Sequence, residues 1–453
     1  MVRVLICTHP ITGHIVPALE IARALVARGH EVRCYTGQKF RARAEVVGAA
    51  FEPMRAAYDY DDADYDAAFP GRSRLKGLDQ IKFDFQRVFI APAPEQAQDL
   101  RAILAERPAD VVLSDPGFIG AKILYRQGEL PAWAVFNISV LGLPSRDVPP
   151  FGLGALPAYS PLGRLRTRLL YTLANRVVFR DVNAFLAATF RRVGLEPEHF
   201  APFVSPMLYL QPSVPGFEYP RGDLPPSVHF IGALLPRPAG GFSPPPWWDD
   251  VTGATRPVVL VTQGTVATDP TELLLPTLRA LAGEEVLVVA TTGGKDLEGP
   301  LPDNARVARF IPFTELLPHV AAMVTNGGYG GATIALANGV PLVCAGTTED
   351  KPEVGNRVAY AGAGLDLKTN HPPEARLRKA VRRVLADGAF RANARRLQAE
   401  LARHDAPAEA AALLERLAAT RQPVLNEASE LAWAGRQRPA GGPAAPLSAR
   451  GSG

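Results

Sequence analysis

The sequence predicts an α/β protein built from two Rossmann-like, doubly wound parallel-sheet domains facing across a cleft. Three observations predict it. A buried strand, a turn and an amphipathic helix open the chain. The same strand–helix beat restarts near residue 257, and a Pro/Gly-dense stretch separates the two runs.

The opening run VRVLICT (2–8) is short, apolar and β-branched, as a buried parallel strand requires. A turn carrying Pro10 and Gly13 follows. VPALEIARALVARG then reads as a helix opened by Pro17 and closed at Gly29, before the strand EVRCYTG. The beat recurs at DVVLSDP (110–116), a helix over 117–128 and PAWAVFNI (131–138). Residues 143–180 begin Pro/Gly-rich and end in an Arg-rich amphipathic helix, with further helix over 182–204.

After the Pro/Gly-dense stretch come strands at PVVLVT, EVLVVA, RVARF, MVT and VPLVC, with helices between them. Residues 374–419 are strongly helical. These signals divide the chain into a first domain over 1–235, a linker over 236–256, a second domain over 257–419, and a terminal helix with a disordered tail over 420–453. The length of 453 residues fits two domains, each of which can bury a sizeable core.

Composition excludes several classes. The formal net charge is only +4, and no basic face interleaved with aromatics appears, so nucleic acid is not an expected partner. Cys7, Cys34 and Cys344 are scattered and odd in number, which implies neither a disulfide framework nor a zinc site. No signal peptide and no run of 18 apolar residues is present, so the expected location is cytoplasmic. Oligomeric state is not legible.

Five groups carry candidate chemistry. Gly13 and His14 lie after the first strand, where a parallel sheet presents loops to ligand; an imidazole there serves as a general base or packs at the helix start. Asp115 ends DVVLSDP and either orients that imidazole or caps the next helix. In TNGGYGGAT, Asn326, Gly327, Gly328, Gly330 and Gly331 sit at a strand–helix junction whose free N–H groups suit a phosphate. Neither a Walker loop nor GxGxxG is matched, which disfavours an NAD-dependent dehydrogenase. Gly264 and Thr265 form a second turn of this kind, and Glu349, Asp350 and Lys351 follow VPLVCAG, where carboxylates suit sugar hydroxyls. The acidic run 58–66 contains DxD-like spacings, but a solvated loop is the expectation there and no metal is assigned.

These stretches, above all THPITGHIVPALEIARALVARGHEV and 308–367, resemble the family 1 glycosyltransferases, the two-domain GT-B type that includes bacterial macrolide and antibiotic glycosyltransferases and UDP-glycosyltransferases. The resemblance implies an enzyme, a hexosyltransferase with no cofactor beyond its nucleotide-sugar co-substrate, UDP- or dTDP-linked. It implies His14 as catalytic base oriented by Asp115, with Phe310 stacking on the nucleotide base, while Phe313, also on the donor side, stands where the family has a polar residue. Gly264, Thr265 and the 326–331 loop would hold the diphosphate, and Asp350 the sugar. The sequence departs from the family pattern at Asn326, Gly331, Ile334 and Lys351. A non-catalytic sugar-nucleotide or ligand-binding homologue with a degenerate donor site is therefore the alternative.

The acceptor is expected to be a lipophilic natural product or lipid, bound through a hydroxyl by walls that include Phe83, Phe85, Phe89 and Phe151. The arginines at 164, 166, 168, 176 and 180 leave two readings: a solvated face, or peripheral contact with an anionic membrane.

Overall fold

The computed structural model describes residues 1–201, 204–235, 242–264, 269–294, 297 and 299–426. It divides into two compact units. Unit 1 holds a seven-stranded, all-parallel sheet in the order β3-β2-β1-β4-β5-β6-β7. Its strands are β1 (Arg3–Cys7), β2 (Glu31–Thr36), β3 (Ala50–Pro53), β4 (Val111–Ser114), β5 (Trp133–Phe136), β6 (Leu208–Gln211) and β7 (Val228–Phe230). Unit 2 holds a six-stranded parallel sheet, β10-β9-β8-β11-β12-β13. These are β8 (Val258–Thr262), β9 (Leu287–Thr291), β10 (Ala305–Ala308), β11 (Val320–Thr325), β12 (Leu342–Cys344) and β13 (Gly364–Asp366).

Of the central strands, β4 and β8 are buried end to end and β1 and β11 at all but one position, as strands covered on both faces must be. Val4, Ile6, Val111 and Leu113 pack under the helix Thr12–Ala27 in unit 1; Val259, Val261, Val288 and Val324 do the same work in unit 2. All three cysteines are free and buried, two in β1 and β2 and one in β12.

Three expectations need correction. Pro17 does not open the first helix, which starts at Thr12. The linker expected over 236–256 is not all connection: its residues 236–241 lie outside the described set, but the helix Trp248–Thr252 belongs to unit 2, where Asp250 pairs with Arg306 at 2.6 Å. The second domain does not run to 419. From His404 the chain rejoins unit 1, because the helix Ala406–Thr420 carries Ala406, Ala410, Leu414 and Leu417 on one face and buries them against the helix Thr12–Ala27. Arg28 seals that return with a bidentate pair to Glu415, 2.7 Å at each oxygen. Most of the expected tail, 427–453, falls outside the described residues.

Candidate active site

In both sheets the strand order reverses beside the first strand, between β1 and β4 in unit 1 and between β8 and β11 in unit 2. Loops leaving two such strands diverge, and the crevice beyond their carboxyl ends is where open α/β sheets take ligand. His14, Asp115, Gly264 and the 326–331 loop fall at these two places.

In unit 1, β1 ends at Cys7 and its neighbour β4 ends at Ser114, so His9 and Asp115 emerge side by side. His14 lies in the first turn of the helix Thr12–Ala27 rather than in the preceding loop. Its Nδ1 stands 3.0 Å from Asp115 Oδ2. The contact is short but bent, without the straight N–H···O line of a full hydrogen bond; such pairs often tighten only once substrate is bound. Asp115 is almost wholly buried and accepts two backbone N–H groups, His9 at 2.9 Å on Oδ2 and Gly117 at 2.8 Å on Oδ1. Burial alone would push its carboxyl up. The imidazole of His14, then His9, outweighs that and holds it below the ordinary aspartate value, so it stays ionised.

The sequence reading passed over His9. Its Nε2 donates to the Gly117 carbonyl at 3.0 Å, and burial pushes its pKa down, which keeps it neutral. Gly117 is thus held at both ends, by Asp115 on its N–H and His9 on its carbonyl. The only available signal was a histidine at the end of a buried strand.

Phe89 stacks on His14, ring centroids 6.0 Å apart and 15° from parallel, and meets His9 edge-on at 5.1 Å. It sits in a π-helical turn, Asp84–Ile90. Gly117 makes room for it, since a Cβ there would lie 2.8 Å from the Phe89 ring. Of the four expected acceptor-wall aromatics, Phe89 alone touches the pair. Phe85 packs on Phe200 at 4.4 Å, Phe83 on the Tyr60–Phe69–Val88 cluster, and half-buried Phe151 covers Gly142. A cavity of about 300 Å³ is lined by His9, Tyr58, Tyr60, Phe69, Val88 and Gln96 among others.

The acidic run is engaged in structure. Asp62 accepts the Thr12 N–H at 2.6 Å, capping the helix that carries His14, and pairs with Lys39. Asp61 also pairs with Lys39, Asp64 caps a short helix, and Asp59 and Asp66 accept backbone N–H groups. No acidic or His/Cys cluster suited to a metal occurs among the described residues.

In unit 2 the equivalent position is built from backbone. Gly264 and Gly327 follow β8 and β11 with φ of +77° and +82°, values that other residues adopt only with strain. Asn326 ties the loops together: its amide donates to the Gln263 carbonyl and its oxygen accepts the Gly328 N–H at 3.3 Å. Gly328 precedes the helix Tyr329–Ala337, with Gly330 and Gly331 in its first turn. A Cβ at Gly330 would meet nothing within 4 Å, so this helix start is open to an incoming group. Thr265 lies outside the described residues.

The remaining donor-side candidates differ in setting. Phe310, just past β10, is 76% exposed, and half-buried Phe313 starts the helix Phe313–Leu316. Glu349, at φ +56°, pairs with the buried Lys351, whose Nζ also lies 3.1 Å from Thr348 Oγ1. That lysine's charge is therefore matched where it sits. Asp350 stands at the N-cap of the helix Lys351–Tyr360.

Residues 272–417 match the family model "Erythromycin biosynthesis protein CIII-like, C-terminal domain". The 4'-demethylrebeccamycin synthase of Lentzea aerocolonigenes is 48% identical over 420 residues, covering 92% of this chain and 99% of that one. UDP-glucosyltransferase A1 of Starmerella bombicola is 33% identical over 421 residues, 89% of each chain. The crystal structure of the calicheamicin glycosyltransferase CalG4 shares the fold, with a TM-score of 0.71 at 23% identity over 93% of this chain and 100% of that one. Identity of this order across nine-tenths of the chain shows the family: the protein is a glycosyltransferase, a member of family 1 with the GT-B fold.

Proposed function

We propose that the enzyme transfers a sugar, with inversion and without a metal, from a uridine or thymidine diphosphate sugar to a hydroxyl of a lipophilic natural product. The observation that carries this reading is the His14–Asp115 pair at the switch point of unit 1. With Nδ1 turned to an ionised carboxylate, the imidazole keeps its proton on Nδ1 and leaves the Nε2 lone pair for substrate.

Nε2 would take the acceptor hydroxyl proton while that oxygen bonds to the anomeric carbon. The anomeric bond to phosphate breaks on the opposite face, and its electron pair leaves on the diphosphate. Asp115 offsets the charge of the resulting imidazolium. The amides around Gly264, Gly327 and Gly328 and the open start of the helix Tyr329–Ala337 suit the leaving diphosphate. Exposed Phe310 offers a ring for the nucleotide base to stack on. The name of the 33% relative favours uridine, and the name of the 48% relative favours a natural-product acceptor.

His14→Ala is expected to lower turnover by about 10²–10⁴-fold, the usual worth of a general base. UDP or dTDP should still raise the melting temperature of the variant by the wild-type amount, and EDTA should leave wild-type turnover unchanged. A fully active His14→Ala enzyme overturns the proposal.

A further inference from the structure

We infer that the helix Pro161–Leu173, with the π-helical turn Ala174–Val178 that continues it, is a docking face for an anionic lipid surface. The helix is inside out. Leu162, Leu165, Leu169 and Leu173 are 78%, 51%, 60% and 49% exposed, and Val177 beyond them is 64% exposed. The buried positions are Gly163, Thr167 and Ala174. Spacings of three and four residues put the leucines in one solvent-facing row. No hydrophobic face of this kind is needed to hold the helix down, because its small residues already do so: Gly163 lies so close to Ala158 that a Cβ would overlap its carbonyl.

The charge around that row says what covers it. Arg166, Arg168 and Arg176 are exposed on the same helical stretch and make no ion pair among the described residues. Arg164 is held by Asp147 at 2.8 Å. Between 146 and 180 there are six arginines and one acidic residue, Asp147. Arginines flanking an exposed leucine row form the pattern of a helix lying in the plane of a membrane, apolar side down among the acyl chains and guanidinium groups at anionic headgroups. A second copy of the chain fits poorly, since two-fold pairing of this row would set arginine against arginine. The helix spans roughly 20 Å at 1.5 Å per residue, suited to lying on a bilayer and too short to cross one. No helix among the described residues is long and apolar enough to cross a membrane.

The test is co-sedimentation of the full chain with vesicles of phosphatidylglycerol and phosphatidylcholine in equal parts, and with phosphatidylcholine alone. The wild type is expected to pellet with the anionic vesicles, to be released by high salt, and to stay in solution with the neutral ones. Leu165→Gln/Leu169→Gln/Leu173→Gln should weaken binding more than tenfold with an unchanged melting temperature. Arg166→Glu/Arg168→Glu provides an independent variant should the first fold poorly, with about fivefold lost per charge removed. Wild-type protein that ignores anionic vesicles, binds neutral ones equally, or binds as well in both variants overturns the inference. So does sedimentation of the wild type as a dimer that the leucine variant dissociates, which would make a second copy the occupant.

Discussion

The two sheets offer the same place and furnish it differently. Each parallel sheet reverses its strand order beside its first strand, and each places some of its candidate groups where the two diverging loops begin. At β1 and β4 the groups are side chains: a carboxylate, two imidazoles and a phenyl ring stacked on one of them. At β8 and β11 they are main-chain amides freed by glycine and joined by a neutral asparagine. The difference is the one the proposed reaction calls for. Moving a proton needs a titratable group whose tautomer is fixed, and fixing it takes buried partners. Holding a diphosphate needs several donors at close range, which glycine allows and a side chain would obstruct.

If the unit 1 position works through charge and tautomer, Asp115→Asn should have the largest effect. The amide keeps the shape, but one of its ends becomes a donor. Both Asp115 oxygens face N–H groups, those of His9, Gly117 and His14, so the amide nitrogen must oppose at least one of them. Turnover is expected to fall about 10²–10⁴-fold, with the KM for the nucleotide sugar unchanged if, as proposed, unit 2 holds that substrate. Stability should drop by about 1–3 kcal/mol, the cost of an unsatisfied buried group. The sign with pH follows from the lowered Asp115 pKa. Its contribution is present above the ordinary aspartate value of about 4 and is lost as pH falls through the lower folded value. The stability gap between wild type and Asp115→Asn should therefore close on strong acidification; a gap that widens would show that the carboxylate is not what stabilises the loop.

The unit 2 position should respond to backbone freedom. Gly327→Ala forces a side chain into φ +82° and is expected to cost about 1–2 kcal/mol in stability. Distortion of the amides should weaken UDP or dTDP binding by about tenfold, as 1.4 kcal/mol would. Gly330→Ala separates close approach from strain. It sits in a helical turn with nothing near its Cβ, so alanine should stabilise the fold by about 0.5–1 kcal/mol. If phosphate does approach there, nucleotide binding weakens even as the melting temperature rises. Calorimetric titration against thermal melts checks both; equal nucleotide affinity in the two variants and the wild type would remove the diphosphate from this loop.

Much of this was legible in sequence because the strands are short, apolar and punctuated. The strand at DVVLSDP points Asp115 at the correct edge, and four glycines after MVT mark an amide-rich junction. Three kinds of information were not legible. The return of the helix Ala406–Thr420 to unit 1 depends on which apolar stripe its own stripe meets, and periodicity does not name a partner. β3, β6, β7 and β13 are three or four residues long, too short for a period to show, and β13 starts on glycine. The roles of His9 and Asp62 arise from residues 108 and 50 positions away, Gly117 and Thr12, which no local pattern links. Phe85 illustrates a partner that is equally hidden: its ring lies 6.4 Å from Phe89 and 4.4 Å from Phe200, 115 positions along the chain.

The smallest expected effect tests whether the unit 1 side chains act as one electrostatic group. Burial lowers the His9 pKa, so the folded protein keeps this ring neutral while the unfolded chain protonates it near the ordinary value of about 6.5. Below that pH the unfolded state binds the extra proton, and stability falls as pH falls toward the folded value. His9→Gln keeps a donor for the Gly117 carbonyl but does not titrate. Its melting temperature should thus decline less than that of the wild type between pH 7 and the folded value of His9, with turnover at pH 7 within a few-fold because His14 and Asp115 remain. Parallel slopes in the two proteins would mean that His9 is already charged in the fold. In that case the Asp115 carboxylate would be offsetting a positive His9 beside it, and the contrast between a titrating unit 1 site and an uncharged unit 2 site would rest on three groups rather than two.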